Sequence, residues 1–160
     1  MRPDRFERLL ADAINRDGRL TARTYSEAAF TRSAYGIVAT TPTGTPVNVQ
    51  IVGRLADGER NEQPAAPVLG TPHPDLAVPD PIEGGKLDLA ALEQYLAGLV
   101  VAAVPEEIAK VGLYQDRPSP GAVHYGLTVT YNSGAATFVY VLSAGVSRHA
   151  DFEPPALVSA

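Results

Sequence analysis

The sequence predicts an α+β fold in which two β-hairpins form a mostly antiparallel sheet packed on one side by helices, in the order helix, hairpin, long loop, helix pair, hairpin. Three observations carry that prediction. Val123, Tyr125, Leu127, Val129 and Tyr131 alternate with His124, Gly126, Thr128 and Thr130, and Asn132-Ser133-Gly134 then leads into the β-rich run Thr137 to Leu142. Alternation at period two puts five apolar side chains on one face of a strand, and the glycine tolerates the positive φ of a tight reversal. A second hairpin reads from Ile37 to Thr41 and Val47 to Val52, joined through Pro42, which presets φ, and Gly44, which relieves the turn. Finally, Phe6, Leu9, Leu10, Ala13 and Ile14 recur at three- and four-residue spacing, the signature of an amphipathic helix.

Taken in order, the first helix runs from Pro3 to Asn15, with Pro3 suited to its first turn and Gly18 as a stop. Ser26 to Ser33 is expected to form a short helix carrying Ala29 and Phe30, with a direct lead into a strand as the alternative. In the first hairpin Val47, Val49 and Ile51 face the core, leaving Asn48 and Gln50 on a solvent-wetted face. Ala56 to Lys86 then reads as a long loop, because Pro64, Pro67, Pro72, Pro74, Pro79 and Pro81 deny it regular hydrogen bonding. Its Val68, Leu69, Leu76, Val78 and Ile82 suit either an arm that lies on a partner or a tolerated insertion. Asp88 caps a helix that buries Leu89, Leu92, Leu96, Leu99, Val100 and Ala103. Pro105, Glu106 and Glu107 open a second short helix ending at Gly112, with Glu106 and Lys110 paired one turn apart. After Gly145 the chain reads as an extended tail over 146–160. Two helix-then-hairpin units suggest structural duplication, although the residues of the two halves do not match well enough to read as a sequence repeat.

Composition narrows the function classes. The chain has 160 residues, 45% of them hydrophobic, which suits one domain over 1–160 burying roughly two-thirds of its unfolded surface. It contains no cysteine, which removes disulfides and thiolate metal sites and fits a cytoplasmic setting. The opening Met1-Arg2-Pro3-Asp4-Arg5 lacks an apolar leader, and no run approaches the ~20 apolar residues of a membrane span. A net charge of −5 opposes phosphate binding, so neither nucleic acid nor membrane is the expected partner. Arginines at 2, 5, 8, 16, 19, 23 and 32 make the first segment basic, as a docking patch or a solvated helix face.

No motif amounts to a catalytic, cofactor or metal site, and none is expected. Gly84-Gly85-Lys86 lacks a preceding strand and Walker spacing, and Asp88 opposes an anion at the same helix end. His149, Asp151 and Glu153 alternate as candidate metal ligands, with His124 as a distant fourth, but Pro154 follows at once and a metal needs a fixed shell. His124, Asp116, Ser143 and Ser147 are the acid/base and nucleophile candidates, without an elbow or Ser–His pattern around them. Tyr125, Tyr131, Phe138 and Tyr140 form either a stacking platform for single strands or, in keeping with the acidic balance, core bridging sheet and helices. The expected function is therefore a non-enzymatic structural or protein-interaction subunit of an assembly, of the kind found in a phage-like tail or neck, located in the cytoplasm or virion. Its partner is a protein or copies of itself. The alternative is an acidic, immunity- or antitoxin-type neutraliser of a partner; a small hydrolase or metal-dependent enzyme ranks third.

Overall fold

The computed structural model describes residues 1–62 and 66–144 and shows an α+β fold. Helix α1 (Pro3–Asp17) begins with Pro3 in its first turn and stops at Gly18, whose φ of 84° lets its N–H return to the Ile14 carbonyl. Strands β1 (Thr21–Thr24), β2 (Gly36–Thr40) and β3 (Pro46–Arg54) follow. A small β4–β5 hairpin (Ile82–Glu83, Lys86–Leu87) precedes α2 (Leu89–Ala103), which Asp88 caps by accepting from the Ala91 N–H at 3.1 Å. The chain then forms β6 (Ile108–Leu113), a short 3-10 turn (Tyr114–Asp116), β7 (Tyr125–Tyr131) and β8 (Ala136–Ala144). Six strands make one antiparallel sheet in the order β1-β2-β3-β8-β7-β6. Phe6, Leu10 and Ile14 of α1 and Leu92, Leu96 and Val100 of α2 bury against Ile37, Val49, Leu127 and Val139 of the sheet. No helix among the described residues is long and apolar enough to cross a membrane. The expected segment at 146–160 lies outside the described residues.

Three expectations are corrected. The segment from Ser26 to Ser33 is a set of turns. Thr24 and Glu27 do form a reciprocal capping box, at 2.8 and 3.3 Å, but Ala29 turns left-handed at φ 56° before a second turn forms. Tyr25 and Phe30, their rings 4.2 Å apart, instead bury with Val38 on the sheet face away from the helices. Asn48 and Gln50 are on that face too, yet both are buried, and Gln50 donates to Ser33 Oγ at 3.0 Å. The second helix of the expected pair is strand β6. Arg5 claims the Glu107 carboxylate bidentately at 2.9 and 2.7 Å, and the ladder to β7 sets Lys110 opposite Thr130, so tertiary pairing outweighs the local Glu106–Lys110 helical spacing.

The sheet order makes the duplication explicit. Each unit is one helix followed by three antiparallel strands, and the units join edge to edge through β3 and β8. Every pair of the β2–β3 hairpin recurs ninety positions later in β7–β8: Gly36↔Gln50 with Gly126↔Tyr140, Ile37↔Val49 with Leu127↔Val139, Thr40↔Pro46 with Thr130↔Ala136. The turns repeat as well, with Gly44 and Gly134 at φ 92° and 90° donating to the Thr41 and Tyr131 carbonyls. In register, Tyr35, Gly36, Thr40, Gly44 and Val49 meet identical residues at 125, 126, 130, 134 and 139. Gln50 pairs with Tyr140, its own counterpart, so the pseudo-twofold axis passes between them. The repeat is a sequence repeat after all. It was hidden because the helices correspond at a different spacing, Glu7 with Glu93, and the loops between them differ in length.

Candidate interaction surface

The feature that best suits contact with another molecule is the proline-rich segment after β3. Proline removes backbone donors and fixes φ, so the segment cannot add a strand of its own and must be held by a few discrete bonds. The Gly70 N–H donates to the Glu106 carbonyl at 2.8 Å and the His73 N–H to the Pro105 carbonyl at 2.9 Å. Asn132 Nδ2 donates to the carbonyls of Val68 (3.3 Å) and Glu106 (2.8 Å), and Arg19 Nη1 to that of Val78 (3.1 Å). Where the segment crosses α2, Gly98 makes room: a Cβ there would lie 2.5 Å from the Ala77 carbonyl oxygen and 2.7 Å from Val78 Cγ2. Residues 66–78 are thus a strap fastened to their own chain, a third possibility beside the projecting arm and the loose insertion.

The strap's outward side is apolar. Val68, Leu69 and Leu76 are 49%, 62% and 37% exposed, and with Tyr35 they are the exposed large hydrophobic residues among those described. Leu76 also lines a shallow cleft with Val111, Gly112, Leu113 and Arg117, along strand β6. That strand ends the sheet, so its outer N–H and C=O groups lack a strand partner. Exposed Glu62, Asp75, Asp80 and Glu83 rim the same segment with negative charge.

Two buried carboxylates hold the scaffold behind this surface. Glu93, fully buried in α2, accepts from the backbone N–H groups of Gln115 (3.0 Å) and Gly126 (2.9 Å). Its counterpart Glu7 in α1 accepts from Gly36 at 3.0 Å, and burial raises its carboxyl above the usual range. The bonds from Gly36 and Gly126 tie each helix to the first or second residue of a middle strand, and each glycine is overlain by a tyrosine: a Cβ at Gly36 would collide with the Tyr25 ring and one at Gly126 would meet the Tyr114 ring at 2.9 Å. A lone glutamate on an otherwise apolar helix face was the sequence signal for these anchors.

The sequence candidates disperse. Gly84 and Gly85, at φ 57° and 78°, form the two-residue turn of the β4–β5 hairpin, and the N-terminus of α2 belongs to Asp88. His124 is exposed beside Val123, Tyr125, Leu89 and Leu142 in an open cleft, and Asp116 is exposed in the 3-10 turn. Ser143 contributes its backbone to β8 opposite Asn48; Ser147, His149, Asp151 and Glu153 lie outside the described residues. Among the described residues no group of three His, Cys, Asp or Glu is placed to hold a metal.

The aromatic residues divide between two faces. Tyr131 is buried on the helix side with its hydroxyl 2.7 Å from Thr137 Oγ1, as core, and Tyr125 packs against its edge. Phe138 and Tyr140 lie on the opposite face. They stack at 6.5 Å, and Tyr114 follows 6.0 Å beyond Tyr140. Arg54 sits over Phe138 and Arg117 over Tyr114, at 6.0 and 3.2 Å. Burial pushes the Tyr140 hydroxyl up to about 12. Comparison with family models, curated proteins and solved structures returned no match.

Proposed function

We propose that the chain is a non-enzymatic protein-interaction subunit that joins copies of itself through the strap 66–78 and the neighbouring edge of β6. The observation that carries this reading is the concentration of exposed Val68, Leu69 and Leu76 on a segment fixed by its own backbone bonds. A fixed apolar surface associates without the ordering cost of a free arm, and an open strand edge supplies the directional bonds. Antiparallel pairing of two β6 edges about a twofold axis would continue the sheet from one copy into the next. A phage-like tail or neck component is one assembly of this kind.

Light scattering on size-exclusion eluates over a range of concentrations tests it. The expected result is a mass of at least two chains, falling to one chain in a Leu69→Asp/Leu76→Asp variant whose thermal melt is unchanged. A single-chain mass for the unaltered protein at the highest attainable concentration overturns it. The acidic rim of Glu62, Asp75, Asp80 and Glu83 favours a second reading, a neutraliser of a basic partner. In that case a one-to-one complex should form whose association slows steeply with salt, whereas apolar self-association should not.

A further inference from the structure

The two outer strands of the six-stranded sheet occupy equivalent places in the internal repeat. Ala22 and Thr24 of β1 pair with Ala39 and Ile37; Val111 and Leu113 of β6 pair with Val129 and Leu127, ninety positions further on. In β1 the backbone groups of Ala22 and Thr24 point away from β2, and the chain itself closes all of them. Asn15 of α1 donates from Nδ2 to the Ala22 carbonyl at 2.9 Å, and its Oδ1 accepts from the Ala22 N–H at 2.8 Å. Glu27 accepts from the Thr24 N–H at 2.8 Å, and the Ala28 N–H donates to the Thr24 carbonyl at 2.9 Å. An edge whose donors and acceptors are already bonded cannot template another strand.

Each of these closures is missing at β6. The helix position equivalent to Asn15, by the shift that relates Glu7 to Glu93, is Val101, whose buried side chain has no amide. Asp116 follows Leu113 at the spacing by which Glu27 follows Thr24, but it is exposed in the 3-10 turn. The Arg117 N–H, counterpart of that of Ala28, donates to the Tyr114 carbonyl and so passes over Leu113. Among the described residues no side chain or loop bonds to the outward groups of Val111 and Leu113, and the open cleft beside Leu76 runs along them instead.

We propose that Asn15, Glu27 and Ala28 seal the β1 edge, so that the sheet takes a second copy of the chain at β6 alone and assembly stops at two. This rests on the reading of the chain as self-associating and adds to it where growth ends. A twofold pairing uses the same edge of both copies and therefore consumes it; further growth needs a second open edge, and β1, at the other end of the sheet, is closed. Pairing about Gly112 sets Val111 of one copy opposite Leu113 of the other. Each such antiparallel pair exchanges both of its backbone bonds, which satisfies every outward group of those residues.

Amide exchange and light scattering together test the proposal. In the single-chain Leu69→Asp/Leu76→Asp protein, the Ala22 and Thr24 amides should exchange at least about tenfold more slowly than those of Val111 and Leu113. In the unaltered protein, association should slow the Val111 and Leu113 amides by at least about tenfold and leave Ala22 and Thr24 unchanged, while the mass holds at two chains as concentration rises. Asn15→Val/Glu27→Ala, two substitutions at exposed positions, should speed exchange at Ala22 and Thr24 and let the mass grow beyond two chains. Equal exchange at the two edges of the single chain, slowing of Ala22 and Thr24 on association, growth of the unaltered protein past two chains, or an opened β1 variant that stays at two each overturns the proposal. A single-chain mass for the unaltered protein together with the expected contrast between the edges removes the assembly reading and leaves the sealing of β1 standing. The two failures are thereby told apart, and the exchange comparison needs no variant of β1 to fold.

Discussion

Replacing Glu93 and Glu7 by glutamine, one at a time, separates the two anchors by a margin that can be worked out from their bonds. Glu93 is fully buried and its two oxygens serve two different N–H donors, of Gln115 and Gly126. Glutamine keeps one acceptor and turns an NH2 group towards the other donor. One charge-assisted bond, about 1.5–3 kcal/mol, is lost and a buried donor is left unsatisfied at a further ~1–3 kcal/mol, partly offset by no longer burying a charge. The expected net cost is about 3 kcal/mol, which at a urea slope of about 2 kcal/mol/M lowers the midpoint by about 1.5 M. Glu7 accepts from the Gly36 N–H through one oxygen, so the glutamine oxygen can retain that bond and the expected cost is about 1 kcal/mol or less. Urea titrations at neutral pH with matched slopes decide the matter. Equal losses at the two positions, or a Glu93→Gln loss below about 1 kcal/mol, would refute the claim that the bond count of a buried carboxylate sets its contribution.

Other outcomes follow from the same structure. Because burial raises the folded carboxyl of Glu7, the folded chain holds that proton more tightly; stability contributed by the protonated form declines as pH rises from the unfolded value near 4.3 towards the folded one, and the Glu7→Gln protein should lack that slope in pH-resolved titrations. Asp17 has the opposite sign: hydrogen bonds from Arg19 and from the Tyr95 hydroxyl hold its carboxyl low, so its contribution is present above about 3.9 and is lost as pH falls through the folded value, a loss that Asp17→Asn should remove from acid titrations. Leu127→Ala should cost roughly 2–5 kcal/mol because its side chain is fully buried under the helices, whereas Thr128→Ala on the other face costs well under ~1 kcal/mol; similar small losses would mean that the strand faces are reversed. Gly98→Ala favours the helix yet collides with the strap at Ala77 and Val78, so amide exchange at Gly70 and His73 should accelerate while the sheet amides keep their protection.

Sequence alone determined the features that depend on local periodicity and turn chemistry. The two hairpins, the two long helices, the Asp88 cap and the Gly18 stop are legible because alternation, helical spacing and positive-φ glycines act over a few residues. Tertiary structure decided the rest. Pro105, Glu106 and Glu107 carry helix-start signals, but pairing with β7 and the pull of Arg5 on Glu107 make the following residues 108–113 a strand. Thr24 and Glu27 form a capping box, but burial of Tyr25 and Phe30 on the outer sheet face leaves the residues that follow as turns. The strap was visible as proline density with scattered apolar residues, yet its anchors on Glu106, Asn132 and Arg19 are distant in sequence and leave no local trace. The repeat was present in the letters throughout. Only the shared hairpin register exposed it, because selection on a fold acts through pairing and burial, which fix positions in space and leave most side-chain identities free.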